Sequence, residues 1–491
     1  MAPYSRRRFL EDSMLAATAA MAGGVSSALA KDKKEKKQAD TTSPNDMLSM
    51  AVIGARGRGA SHIAGFGDRN GARVTVICDV DEEVGNSRCE QYEKKHGHKP
   101  KFVRDLREVF DDKSVDAIST ATPNHWHALC AIWAIQAGKD VYVEKPVSHN
   151  VSEGRRIVEA ARKYNKICQT GTQCRSMPGT IEAVKYVQDG KIGKLKVARG
   201  LCYKPRASIG PAGNYRAPDS VDYNLWCGPA PVDPVTRKQF HYDWHWFWDY
   251  GNGDLGNQGI HQMDICRWGL GDPGLPNGVL SYGGRVGYED AGQTANTQIV
   301  MHDYGDKSLV FEVRGLKTDD YRGAKVGVVF EGTDGYVVMT SYNKGAVYDR
   351  NGKEVLQFPT TAASDKENNV HFDNFLAAVR SRNPQDLNAD IEKGHFSSAL
   401  CHLGNISYRL GSKTSLGDVK SRLQGEEASD TFNRVAEHLH ANNVPDTTEI
   451  YFGEKLKLDP QAERFANNPS ADLQLTRVYR APFIVPAAGQ V

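Results

Sequence analysis

The sequence predicts an α/β protein. An N-terminal Rossmann domain, a doubly wound parallel sheet, precedes a C-terminal α/β domain with a large, mostly antiparallel open sheet. Three observations predict it. Short apolar runs alternate with helix-spaced segments from residue 47 to about 170, a glycine-rich turn follows the first run, and strand-like runs recur between 279 and 350.

The apolar runs at 48–53, 74–78, 117–120 and 141–143 are continuous, with a weaker fifth at 167–169. Strands buried on both faces of a parallel sheet read this way, and the β-α-β-α order argues for double winding. Beyond 170 a helix is expected over 180–188 and a strand over 194–200. Residues 205–260, rich in Gly, Pro and aromatics, read as long functional loops. Strands are expected at 297–302, 308–313, 326–330 and 336–340, and amphipathic helices at 371–382 and 394–410. The domain limits read as 47–170, 171–415 and an extension, 416–491, placed only as an appendage.

The N-terminus carries an address. Ser5-Arg6-Arg7-Arg8-Phe9-Leu10, an Ala-rich apolar stretch over 14–25 and Ala28-Leu29-Ala30 read as a twin-arginine signal peptide, residues 1–30. Residues 31–46 form a charged linker. The expected location is therefore the periplasm, reached already folded. The 461 residues that remain suit two to three domains at about 150 residues each. A formal net charge of +2 lacks the basic bias of a nucleic-acid binder, and no later run has membrane length. The nine cysteines form no Cys-x-x-Cys pair and read as small hydrophobes, with no metal site expected.

Four motifs carry chemistry. In Gly54-Ala55-Arg56-Gly57-Arg58-Gly59, Gly54 makes the tight turn and Gly59 permits close helix packing, while helix amides face a pyrophosphate. Arg56 stands where a second Gly is usual. Asp79 ends the next strand, 25 residues after Gly54, where a carboxylate binds ribose hydroxyls and disfavours a 2′-phosphate. The cofactor expected is NAD rather than NADP. Thr122, Asn124 and His127 follow the third confident strand, at the crevice edge. Glu144-Lys145-Pro146 ends the fourth, where Pro stops the strand and turns Lys145 toward the crevice. Beside a cationic nicotinamide its pKa falls and it becomes a usable acid or base. Asn257 and His261 share a face if they form a helical turn. Trp244 and His245, in an aromatic stretch beside Asp and Asn, suit stacking on a sugar ring, or else a core.

Together these residues, with Gly171-Thr172-Gln173-Cys174-Arg175 and Gly259-Ile260-His261-Gln262-Met263-Asp264, resemble the glucose–fructose oxidoreductase / inositol dehydrogenase (Gfo/Idh/MocA) family over roughly 47–415. The resemblance implies Lys145 as the active-site lysine and His261 as the active-site histidine. Gln173 is implied beside the cofactor, and Arg175 and Asp264 on the substrate. Asn257 stands where the family commonly has Asp. A homodimer or homotetramer is also implied. The activity expected is hydride transfer between a sugar, glycoside or polyol hydroxyl carbon and NAD, with Asn257 orienting the substrate. A redox-neutral, NAD-dependent glycoside hydrolase and a non-catalytic sugar or nucleotide sensor remain open as alternatives.

Overall fold

The computed structural model describes residues 47–360 and 369–491. The signal peptide, the linker and the twin-arginine motif lie outside the described residues.

Six strands form the first sheet: β1 (Leu48–Ile53), β2 (Ala72–Cys78), β3 (Lys101–Val103), β4 (Ala117–Thr120), β5 (Asp140–Val143) and β6 (Cys168–Thr170). Their order is β3-β2-β1-β4-β5-β6 and every pair is parallel. Side-chain alternation on β1 divides the core. Ala51 and Ile53 pack with Val76, Ile118 and the helix Asn124–Gln136 on one face. Met50 and Val52 pack with Val74, Phe66 and Tyr142 on the other. Strand β3 is the one the sequence did not predict. It is three residues long, at the sheet edge, and only Val103 is buried.

The second sheet is built from β7 (Leu195–Tyr203), β8 (Gly278–Gly284), β9 (Thr297–Asp303), β10 (Ser308–Arg314), β11 (Val326–Gly332), β12 (Gly335–Met339), β13 (Gly345–Asp349), β14 (Glu354–Phe358), β15 (Ser412–Ser415) and β16 (Glu449–Phe452). Their order is β14-β13-β12-β11-β7-β10-β9-β8-β16-β15. Neighbours are antiparallel except β7 and β10, which are parallel, so the expectation of a mostly antiparallel sheet holds. One face carries the helices Ile260–Gly269 and Ile391–Arg409, and the other carries Glu426–Ala441.

Two expectations are corrected. Helix Ile391–Arg409 is buried nearly all round rather than amphipathic, because it lies between helix Val151–Lys163 and the second sheet. The segment 416–491 is no appendage: it supplies β16, the helix Glu426–Ala441 and Phe483, Val485 and Val491 of the nucleotide-domain core. Helix Val370–Ser381 likewise returns to that domain and buries Phe372, Phe375 and Leu376 there, each contributing about 1.5–3 kcal/mol of transfer free energy. All nine cysteines are buried and unpaired.

Candidate functional site

The nucleotide turn follows β1. Gly54 has φ +80°, and a Cβ there would lie 2.9 Å from the Ala121 carbonyl carbon. A Cβ on Gly59 would stand 1.7 Å from the Gly54 carbonyl oxygen, so no side chain fits. Gly57 has φ +47° and faces open space at the start of helix Arg58–Phe66. Arg56 is exposed, which explains how this turn tolerates it. Asp79 accepts the Ala55 amide at 2.7 Å and the Asp81 amide at 2.9 Å. Burial pushes its carboxyl up to about 6, against those amides. Thr122 shares a hydroxyl contact with Thr120 at 3.1 Å, and Asn124 Oδ1 is buried with no partner among the described residues. An open glycine cradle, a helix N-terminus, a carboxylate after β2 and an unpaired amide oxygen after β4 fit a dinucleotide.

His127 is corrected as a cofactor residue. Its ring nitrogens lie 2.6 Å from the Pro146 carbonyl oxygen and 2.7 Å from that of Thr122, so both face backbone acceptors and the ring, held neutral by burial, donates its one N–H to one of them. It fastens the turn after β4 to the turn after β5. His125 is tied similarly to the Trp226 carbonyl at 2.9 Å, and burial pushes it down to about 3.

Glu144 accepts from Arg58 Nε at 2.7 Å and Gln173 Nε2 at 3.1 Å, and lies 3.1 Å from His62 Nε2. Burial opposes its ionisation, yet Arg58, His62 and Lys145 hold it well below the usual range. Gly171 leaves room for this carboxylate, since a Cβ there would come within 2.8 Å of it. Thus Gln173 acts on Glu144 and the Tyr142 hydroxyl. His62 and Tyr142 complete the set, and neither stands out in sequence.

Lys145 Nζ donates to the Asn257 carbonyl oxygen at 2.5 Å. Burial pulls the ammonium down to about 8; Glu144 resists, while Arg58 and Lys204 add to the fall. Asn257 lies in a π-helical turn, Leu255–Gly259, that runs into helix Ile260–Gly269. π turns recur at functional sites. The contact uses the backbone of residue 257, so an Asn in place of Asp leaves it intact. His261 is 9% exposed, and its Nδ1 has no partner among the described residues. Its ring lies 5.1 Å from that of Tyr342, whose hydroxyl accepts from Gln258 at 2.6 Å. Burial first, then the Lys145 charge, pushes His261 well below 6.5, leaving a neutral imidazole.

Arg175 and Asp264 are corrected as substrate residues. Arg175 Nε lies 2.9 and 3.0 Å from the two Asp264 oxygens, and its Nη atoms lie 2.7 and 3.0 Å from Asp272. Both side chains of the Arg175–Asp264 pair are 1% exposed. They brace residues 173–176 against helix Ile260–Gly269, and opening such a pair costs too much for a substrate contact. Trp244 is likewise a core residue. It packs with Trp226, Phe240, Trp246, Phe247 and Tyr250 in a separate apolar cluster within the long loop. His245 stacks on it at 3.7 Å and lies 2.6 Å through Nδ1 from the Tyr242 carbonyl. His245 still borders the site, since after burial the Lys145 charge helps hold it down at about 3. Lys204, Arg206 and Tyr342 were missed. Lys204 and Arg206 continue the alternation of β7, a signal usable once the strand's end is known.

Residues 48–172 match an oxidoreductase family's NAD-binding Rossmann fold, and 210–442 match the same family's C-terminal alpha/beta domain. Levoglucosan dehydrogenase of Pseudarthrobacter phenanthrenivorans is 29% identical over 36% of this chain and 38% of its own. Alpha-N-acetylgalactosaminidase of Shewanella oneidensis is 27% identical over 39% and 44%. These matches therefore span less than half the length of either relative. Among solved structures, the WlbA dehydrogenase of Bordetella pertussis, in complex with NADH and UDP-GlcNAcA, has a TM-score of 0.55 at 19% identity, covering 74% of this chain and 96% of that one. A levoglucosan dehydrogenase in complex with NADH and levoglucosan has a TM-score of 0.55 at 18%, over 72% and 95%. These two share the fold.

Proposed function

Because the chain belongs to the Gfo/Idh/MocA oxidoreductase family, we propose that it is an NAD-dependent oxidoreductase acting on a hydroxyl carbon of a sugar, glycoside or polyol. The observation that carries this reading is Lys145, held at the end of β5 against the Asn257 carbonyl and pulled down to about 8. The levoglucosan dehydrogenase relative supports the substrate class by its name.

Gly54, Gly57 and Gly59, with the first amides of helix Arg58–Phe66, hold the pyrophosphate, and Arg56 and Arg58 flank it. Asp79 takes the ribose hydroxyls, and Thr122 and Asn124 border the other end. Bound NAD supplies the hydride acceptor. The neutral His261 ring donates its one N–H to the substrate hydroxyl oxygen, and the Asn257 side chain orients the sugar. Lys145, as the free amine, takes the hydroxyl proton and releases it to solvent. Glu144 and its partners Arg58, His62 and Gln173 fix the backbone and charge beside Lys145. The reading includes folded export to the periplasm, supported by Arg6-Arg7 and the Ala-rich stretch, and a homodimer or homotetramer, supported by the family resemblance.

Lys145→Ala tests it. NAD occupancy stays near that of the parent while turnover falls by about 10²-fold or more. Near-normal turnover removes Lys145 from the mechanism. The relatives named as glycosyl hydrolases favour a second reading, hydrolysis through transient oxidation, elimination, water addition and re-reduction. Incubation with glycosides and no added oxidant separates the two: many turnovers support the hydrolase, and a single half-reaction supports the dehydrogenase.

A further inference from the structure

From Ala198 onward strand β7 alternates. Ala198 and Cys202 lie in the core with Ile260, Met263 and Cys266, while Leu201 and Tyr203 face the opposite side. Between the first two, a Cβ on Gly200 would stand 3.2 Å from the Gln262 Cβ. The face that carries Ala198, Gly200 and Cys202 is therefore the one against which the His261 helix packs. Two residues past Cys202, the same alternation turns Lys204 to this face, and two further on it turns Arg206 there. Arg206 confirms the direction: its Nε and Nη2 lie 2.9 and 2.6 Å from Asp254, at the start of the π turn that bonds Lys145. The Lys204 charge is also felt at both Lys145 and His261.

The charges around this crevice do not balance. The carboxylates that flank Lys145 and the π turn are already spent: Glu144 on Arg58 and Asp254 on Arg206. Residue 257, on the turn, is Asn and adds none. His261 and His245 are neutral. Lys204 has its backbone amide on the Arg314 carbonyl at 3.1 Å, but its side chain is exposed and its Nζ has no hydrogen-bond or ion-pair partner among the described residues. The site thus presents an uncompensated cation beside the proton-handling Lys145.

We propose that Lys204 is a specificity residue that binds an anionic substituent of the substrate, so that the sugar oxidised here is a sugar acid carrying a carboxylate. This rests on the dehydrogenase reading above. A carboxylate is favoured over a phosphate because the free group is one point charge on a flexible stem, and the nearby guanidinium that would fork around a phosphate is committed to Asp254.

The test uses the NADH-loaded protein and a matched set of probes: glucose, glucuronate and glucose 6-phosphate. Binding is read from cofactor fluorescence, and NAD reduction by the same sugars is measured in parallel. Glucuronate is expected to bind about tenfold or more tightly than glucose. Lys204→Met collapses that ratio to within about twofold, and Lys204→Arg restores most of it. A glucuronate affinity no better than that of glucose, absent binding of the acid, or a ratio insensitive to Lys204→Met overturns the proposal. Preference for the 6-phosphate overturns the carboxylate assignment. Oxidation of neutral sugars without acid preference sinks this inference alone, whereas selective acid binding without any NAD reduction sinks the dehydrogenase reading and leaves Lys204 standing.

Discussion

Replacing Glu144 by Gln removes the carboxylate next to Lys145 while keeping side-chain volume. In the parent protein, Glu144 is the main group that raises the Lys145 pKa against burial. An opposite charge within about 6 Å typically favours the charged form by 1–3 units. Arg58 acts in the other direction and loses its partner in the variant, so its repulsion of the ammonium is less compensated. The Lys145 midpoint is therefore expected to fall from about 8 to about 7, a change of about 1.4 kcal/mol. At pH 7 the free-amine fraction then rises from about one-tenth to about one-half, and at pH 9 it changes little. The assay is the pH dependence of kcat for oxidation at saturating NAD and substrate, with NAD affinity measured alongside because Arg58 is released. A midpoint that stays in place or moves upward refutes the assignment of Glu144 as the group that sets the Lys145 charge.

Two other perturbations separate binding from bracing. Arg175→Met leaves Asp264 buried without its main partner and lowers the unfolding free energy by about 3–5 kcal/mol; urea denaturation reads the loss. Because Arg175 braces rather than contacts substrate, KM stays within about twofold of the parent, and a KM rise above about tenfold returns Arg175 to the substrate site. Asp79 ionises above about 6, so NAD affinity weakens as the pH falls through that value and the carboxylate protonates. Asp79→Asn removes this dependence and weakens NAD about tenfold at pH 7.5. Cofactor-fluorescence titration between pH 5 and 8 checks both effects, and an unchanged pH dependence in Asp79→Asn excludes Asp79 as the source.

The nucleotide domain was legible because buried parallel strands are continuous apolar runs, and because Gly54 and Gly59 occupy positions where no side chain fits. Strand β3 was not, since three residues with one buried side chain carry no period. The role of 416–491 was hidden for a different reason. Phe483 and Val485 lie in a short run broken by Pro482 and Pro486, too short to show a helix or strand period, and the partners they share with Val491 lie more than three hundred residues earlier, among them Trp126 and Leu129. Lys145 and His261 were found through motifs, and the structure brings both to the π turn at Asn257. The same motifs misassigned Arg175 and Asp264, whose polarity serves a buried brace rather than a ligand. Trp244 failed similarly: aromatic density reads alike for a sugar platform and for a small core, and only burial separates them. Lys204 escaped because strand alternation identifies a face only once the strand's end and its packing helix are known.

The central claim is that Lys145, poised near neutrality by burial, handles the substrate proton. The pH–rate profile of sugar or polyol oxidation in the parent protein and in Lys145→Ala tests it most directly. The parent rate rises with pH through about 8 as the ammonium loses its proton, and the reverse reduction falls through the same value. The limb vanishes in Lys145→Ala while NAD remains bound. A flat parent profile, or a limb near 8 that survives in Lys145→Ala, contradicts the claim.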